Sequence, residues 1–157
     1  MAQELSTAGV TLRYAASSAA GTTRPTSGYT LIPAIKSIPD FNPEPESLEV
    51  TDLSDTTWRR YIAGLKDPGG ALAFTANLST PFKTAWETLM TAYGTAKTAG
   101  KAMWFEICVP SFGSFFFAGI PSSLGMSAMD VNSVLEVDVY ITPNIIHGWD
   151  TSTTTSA

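Results

Sequence analysis

The chain has one cysteine, Cys108, and one histidine, His147. A single cysteine excludes an internal disulfide and a cysteine-ligated metal cluster. A Cys–His nucleophile pair would need both residues. However, Cys108 falls in an alternating run and His147 in a segment flanked by proline and glycine. Phosphate-binding glycine loops, zinc-protease motifs and nucleophile elbows are also missing. We therefore predict that Cys108 packs as a small hydrophobic residue and that His147 is exposed or packed. We also predict a protein that is not an enzyme and needs no metal or cofactor.

Charge is also scarce, because charged residues make up 15% of the 157 residues, against roughly 25% in an average soluble domain. The net charge of −5 argues against a nucleic-acid binder, which needs a basic surface to release counterions. No apolar run approaches the roughly 18 residues of a membrane span. Residues 1–5 are neither basic nor apolar, unlike a signal peptide. We expect one domain, made in the cytoplasm, with no membrane insertion of its own.

Alternating apolar and polar residues predict β-strands along most of the chain. The predicted strands cover residues 10–14, 30–38, 48–53, 71–78, 101–109, 114–119 and 134–142. Residues 101–119 form a predicted hairpin around a Pro/Gly turn. These strands give a domain over residues 10–143, with an N-terminal arm at 1–9 and a C-terminal tail at 144–157.

One helix is predicted over residues 81–94, with Thr80 as its N-cap and Pro81 in its first turn. Its apolar residues recur at the helical period and form one stripe. The stripe consists of Phe82, Trp86, Leu89, Met90 and Tyr93. We interpret this stripe as core rather than as a cofactor site. The predicted fold is a mainly β (α+β) domain, an antiparallel sandwich or barrel with one flanking helix.

Residues 54–70 lose the alternation and are predicted to be a long loop. Long loops in small domains are usually functional or disordered, and a disordered loop is not expected to carry Trp58 and Tyr61. Trp58, Arg59, Arg60 and Tyr61 are of residue types enriched at the centres of protein interfaces. On the residues alone, two interpretations remain open: an interface loop, or aromatic residues that fold back on their own domain.

Several segments resemble the major tail tube proteins of long-tailed, non-contractile (siphovirus-type) bacteriophages. They are an Ile/Val-rich strand followed by a proline-bearing turn at 35–41, a strand with an Asp/Thr cluster at 46–56, and the loop at 58–69. The Trp-bearing helix, the aromatic strand Phe115–Phe117 and the run at 120–126 are also similar. The resemblance covers residues 8–145. The tail-tube fold is shared with the tubes of contractile tails and of type VI secretion.

The resemblance implies a structural virion protein that self-assembles into stacked, commonly hexameric rings. The rings form the tube of a long flexible tail, a passive conduit through which DNA is ejected into the host. The implied partners are other copies of the chain, a tape-measure protein, a tail terminator and distal tail or baseplate proteins. DNA would pass without being bound. The implied location is the virion tail, after assembly in the host cytoplasm.

The resemblance also favours an assembly role for the loop and a channel lined with acidic residues. The implied inter-ring residues are Trp58, Arg59, Arg60, Tyr61, Asp52 and Asp55. The hypothesis for the lumen names Glu136 and Asp138, then Glu106, because each alternates with core residues on its strand. An acidic wall repels DNA and does not hold it. The alternative to a lumen position is that these carboxylates face the solvent outside the tube.

Three other functions remain as alternatives. A contractile-tail or type VI-like secretion tube would have the same fold. A small-molecule carrier barrel would need an apolar cavity with a few convergent polar groups. A hydrolase would have to use scattered carboxylates, namely Glu44, Glu46, Asp52 and Asp55, whose geometry nothing in the sequence fixes.

Overall fold

The computed structural model describes residues 8–42, 45–66 and 70–153. Residues 40–70 form one compact unit, and the chain on either side of them forms the other. The elements are β1 Thr11–Ala16, β2 Thr30–Ile32, β3 Ile35–Ser37, β4 Pro45–Glu49, β5 Tyr61–Lys66, β6 Leu72–Asn77, α1 Thr80–Thr98, β7 Met103–Val109, β8 Gly113–Pro121 and β9 Glu136–Asp150. Within the described ranges, no helix is long and apolar enough to cross a membrane.

The larger unit is built on one antiparallel sheet of seven strands in the order β2-β1-β7-β8-β9-β6-β3. Its two edge strands, β2 and β3, are separated in the chain by Pro33 and Ala34 alone. Three Cα steps span at most about 11 Å, so the two edges lie near each other and the sheet curls into a nearly closed barrel. The prediction of a mainly β, antiparallel barrel with a flanking helix is confirmed.

The turn between β2 and β3 corrects the single strand predicted over residues 30–38. Ile32 pairs with Leu12 of β1, whereas Ile35 pairs with Ala76 of β6. Ala34 adopts a left-handed conformation with φ of 64°, and Pro33 has no N–H to donate. The ladder therefore breaks at these two residues, and the chain passes from one sheet edge to the other.

The core lies along the alternating residues of the sheet. Phe105 of β7 and Phe117 of β8 are directly opposite in the register and stack with their ring centroids 5.5 Å apart. The other face of these two strands is also covered, because Trp104, Phe116 and Ala118 form a second buried cluster. Residues on both faces of β7 and β8 are therefore excluded from solvent.

The N-cap of helix α1 is Ser79, one residue before the predicted Thr80. The Ser79 hydroxyl oxygen accepts a hydrogen bond from the Phe82 N–H. Phe82, Trp86 and Leu89 are fully buried, which confirms the centre of the predicted stripe. Met90 and Tyr93, at its edge, are half-buried. The helix contacts β1, β2 and β8.

The helix does not end at Gly94 as predicted but continues to Thr98. Gly100, with φ of +72°, supplies the left-handed residue that follows the last turn. The Gly100 N–H donates to the Lys97 carbonyl, and the Lys101 N–H donates to the Ala96 carbonyl. This pair of bonds is the Schellman motif, which satisfies the last carbonyls of a helix.

Strand β9 corrects the tail that was predicted from residue 144. The strand runs to Asp150 and pairs with β8, with register shifts at Phe116/Phe117 and Ala118/Gly119. Gly119 lies opposite Pro143, and a Cβ on Gly119 would come within 2.8 Å of the Thr142 carbonyl oxygen. The missing side chain lets a proline-bearing segment stay in the sheet. Most of the predicted arm (1–7) and the end of the tail (154–157) lie outside the described residues.

Candidate assembly surfaces

The unit at 40–70 is a two-stranded antiparallel hairpin of β4 and β5. Leu48 lies opposite Ile62, and Glu49 lies opposite Tyr61. The Val50 N–H donates to the Arg60 carbonyl at 2.9 Å, which extends the ladder by one step. The sequence predicted an open loop over 54–70, and this is wrong for 61–66, which form β5. The connecting loop therefore spans residues 51–59.

The hairpin exposes most of its apolar side chains. All five residues of β4 are exposed, Trp58 is 81% exposed and Leu65 is 91% exposed. The exposed large apolar residues of this unit are Leu48, Val50, Leu53, Trp58, Tyr61, Ile62 and Leu65. A two-stranded hairpin is marginally stable in water, and exposed apolar groups of this size mark interaction sites. Trp58 and Tyr61 are both exposed.

The loop at 51–59 is held in shape by the Arg60 side chain. Its Nε donates to Asp55 Oδ2 at 2.8 Å, and its NH2 donates to Asp52 Oδ2 at 3.2 Å. The Arg60 backbone N–H donates to Thr51 Oγ1 at 2.8 Å. Three of the predicted interface residues, Asp52, Asp55 and Arg60, are thus engaged with one another, and they position the loop that carries Trp58.

The hydrogen bonds in this loop favour the charged carboxylates. Bonds from the Ser54 hydroxyl and N–H lower the pKa of Asp52 below its usual value. The Asp52 N–H, followed by the Arg60 guanidinium, lowers the pKa of Asp55. Arg59 is exposed, and the described residues place no ion pair on it.

A second exposed apolar surface lies in the larger unit, in the segment 122–135 between β8 and β9. Its exposed large apolar side chains are Met126, Met129, Val131, Val134 and Leu135. The Ser122 N–H donates to the Tyr140 carbonyl at 2.9 Å, and the Leu78 N–H donates to the Leu135 carbonyl at 3.0 Å. Sequence reasoning missed this surface and assigned Val134 and Leu135 to the last strand. The available signal was a cluster of apolar residues without alternation.

The predicted lumen residues divide between two environments. Asp138 is exposed on β9, where it accepts from Thr75 Oγ1 at 2.9 Å. Glu136 is half-buried and forms an ion pair with Lys36. Their strand alternates regularly, with Val137, Val139 and Ile141 buried on the opposite face.

Glu106 is fully buried, and its assignment to a channel-facing surface is wrong. Its carboxylate accepts from the Thr153 N–H at 3.0 Å and from Thr153 Oγ1 at 2.8 Å. Ser152 Oγ lies 3.5 Å from the same group. The strand does alternate as predicted, but the segment after β9 covers the face that carries Glu106, and the sequence gives no sign of that cover.

Cys108 is partly buried, whereas His147 is exposed. Cys108 is half-buried with its Sγ 3.2 Å from Ser152 Oγ. The rings of His147 and Phe116 form a T-shaped pair with their centroids 6.1 Å apart. The His147 Nε2 lies 3.0 Å from Asp150 Oδ2. Across the described ranges, no group of three or more His, Cys, Asp or Glu side chains has the arrangement of a metal site.

No family model matches the sequence, and no curated protein matches it. Among solved structures, the chain is similar to one in the six-fold symmetrised cryo-EM structure of the anti-feeding prophage (AFP) baseplate. The TM-score is 0.62 with 11% identity, over 99% of this chain and all of that chain (100%). It is also similar to a chain in the tail of an empty GTA particle, refined helically in C6 symmetry. There the TM-score is 0.53 with 14% identity, over 86% of this chain and 90% of that chain. The protein therefore has the fold of chains found in a baseplate and in a tail.

Proposed function

We propose that the protein is a structural subunit of a phage-type tail that self-assembles into stacked hexameric rings and has no enzymatic activity. The observation that carries this proposal is the likeness, over nearly the whole chain, to subunits of two six-fold particles. Together with the sequence resemblance, it supports a tube that conducts DNA passively within the tail of the virion. Its further partners would be a tape-measure protein, a terminator and distal tail proteins.

The hairpin of β4 and β5 supplies the contact between rings. Rings and filaments form from heterologous contacts, in which two different surfaces of the same chain meet. Fully burying one large apolar side chain contributes roughly 1.5–3 kcal/mol, and the hairpin exposes several of them. Leu53, Leu65 and Trp58 are its most exposed large apolar side chains and are therefore expected to contribute most.

The stacking contact is tested by replacing residues 51–59 with Asn-Gly, which favours a tight hairpin turn. Sedimentation velocity of the wild type should show large species that grow with concentration, whereas the variant should remain small. Circular dichroism should be nearly unchanged, because residues 51–59 belong to neither the seven-stranded sheet nor α1. A folded variant that assembles like the wild type would contradict the role of this loop.

The exposed face of β9 lines the channel in this proposal. On this face, Asp138 is exposed and accepts a hydrogen bond from Thr75, while Glu136 forms an ion pair with Lys36. Duplex DNA carries one charge per about 1.7 Å of axis, so an acidic wall repels it. Assembled Asp138→Lys protein should retain duplex DNA in a mobility-shift measurement at low salt, while the wild type and Asp138→Asn should not. Equal DNA retention by the wild type and both variants would contradict the placement of Asp138 in the lumen.

A baseplate ring is the second candidate, favoured by the higher TM-score to the baseplate chain. A baseplate subunit forms a ring of fixed size, whereas a tube subunit stacks without limit. Electron microscopy of the assembled protein separates the two, because single rings favour the baseplate and tubes of variable length favour the tube.

A further inference from the structure

We propose that the segment 122–135 of one copy is the surface that receives the 51–59 loop of the next copy. This inference rests on the proposed function and deepens it by naming the opposite half of the inter-ring contact. The receiving segment is defined as residues 122–135, between β8 and β9.

The receiving segment exposes large apolar side chains in a defined position. Val131 is 99% exposed and Met126 is 79% exposed. Backbone hydrogen bonds hold both ends of the segment, at Ser122 and at Leu135. Inside it, the Ser127 hydroxyl donates to the Glu136 carbonyl. An exposed apolar surface held by the sheet fits a docking role better than a flexible linker.

The chemistry of the two surfaces is complementary. The hairpin presents Trp58 and Tyr61, and the receiving segment presents Met126 and Met129. Methionine side chains adapt to irregular partners, and their sulfur atoms contact aromatic rings favourably, with about 0.3–1.5 kcal/mol per contact. Each surface supplies what the other lacks, because the receiving segment contains no aromatic residue.

The receiving segment carries little charge, which limits its repulsion of the acidic hairpin unit. Asp130 is the only charged residue of the receiving segment. Residues 40–70 hold seven of the fourteen carboxylates of the chain and three of its nine basic residues, so a more acidic receiving surface would repel the hairpin. Arg60 is engaged by Asp52 and Asp55, which leaves Arg59 as the basic side chain of the loop that can pair with Asp130.

A second copy is the occupant that these features favour. The two apolar surfaces lie on different parts of one chain, as a heterologous contact requires. A copy bound through its loop leaves its own receiving segment free for the next copy, so the contact propagates. Self-pairing of either surface would instead stop at a two-fold dimer.

Photocrosslinking in the assembled full-length protein locates the contact. The photoreactive residue p-benzoylphenylalanine replaces Trp58, and isotope-labelled copies are mixed with unlabelled ones. Mass spectrometry should find mixed-label crosslinks to residues 122–135. The same residue in place of Thr88, which is exposed on α1, should give no crosslink to that segment. Crosslinks from position 58 to any other part of the chain, or to position 58 itself, would overturn the proposal.

A charge exchange tests the pair directly. Arg59→Asp and Asp130→Arg should each raise the concentration needed for half-assembly about tenfold or more, because like charges then meet in the contact. The double variant should restore assembly to within about threefold of the wild type. Glu87→Arg, which reverses an exposed carboxylate on α1, is the control and should have no effect.

The two levels of failure are distinguishable in these experiments. A wild-type protein that does not assemble contradicts the proposed function itself. A wild type that assembles while neither single reversal changes its half-assembly concentration contradicts only the receiving segment. Loss of assembly in both singles without rescue in the double variant also contradicts the Arg59–Asp130 pair.

Discussion

At the residue scale, the buried carboxylate of Glu106 depends on the segment that follows β9. Thr153 supplies two hydrogen bonds to it, one from its N–H and one from its hydroxyl. Removing the hydroxyl leaves one oxygen of a buried carboxyl group without this hydrogen bond, which costs about 1–3 kcal/mol. We expect Thr153→Ala to lower the free energy of unfolding by that amount in urea denaturation. Thr151→Ala should change it little, because its backbone N–H makes the bond to Asp150.

The Asp52–Asp55–Arg60 network makes the shape of the 51–59 loop sensitive to acid. The pKa values of Asp52 and Asp55 are both lowered, so the network is complete above the usual aspartate pKa of about 3.9. It is lost as the pH falls through the lowered values. Carboxyl carbon NMR shifts should titrate with midpoints below 3.9. Arg60→Gln should move the Asp55 midpoint back up, and Arg59→Gln should not. An unchanged Asp55 midpoint in the Arg60 variant would contradict the network.

At the element scale, two glycines have opposite roles. Gly94 lies on the exposed side of α1, where an added Cβ meets nothing within 4 Å, and Gly within a helix costs about 1 kcal/mol relative to Ala. At Gly119 the Cβ would come within 2.8 Å of both Ile141 Cγ2 and the Thr142 oxygen. We expect Gly94→Ala to raise the melting temperature and Gly119→Ala to lower it. Equal melting temperatures in the two variants would contradict the packing of β8 against β9.

Helix α1 and the central strands could be predicted from sequence because their side-chain periodicity reflects burial. Phe82, Trp86 and Leu89 recur at helical spacing, and all three are buried. The end of the helix was harder to predict, because Gly94 resembles a helix stop signal. The actual end depends on the hydrogen bonds around Gly100. Strand β5 was hidden because exposed residues on both of its faces remove the alternation that marks a half-buried strand.

At the scale of the whole molecule, the sequence indicated the aromatic loop but not the exposed apolar segment at 122–135. Trp58 and Tyr61 are recognisable by residue type, and both are exposed. Met126 and Val131 lie in a cluster of apolar residues without alternation, but the exposure of their side chains follows from how the chain passes between β8 and β9. The burial of Glu106 is equally non-local, since Thr153 lies far from it in the sequence.

In the proposed function, the chain is a subunit whose two exposed apolar surfaces are covered by neighbouring copies. One surface belongs to residues 40–70 and the other to the rest of the chain, and each copy would use both to bind two neighbours. A chain that functions alone would leave Trp58, Leu65 and Val131 in water without a partner. We therefore expect the protein to act as an assembly.

Electron microscopy of the purified full-length protein across a range of concentrations tests this claim most directly. We expect rings or hollow tubes of uniform width, with six-fold symmetry in end-on averages, that become more abundant as the concentration rises. A protein that remains a monomer at every concentration, or that forms only two-fold dimers, would contradict it.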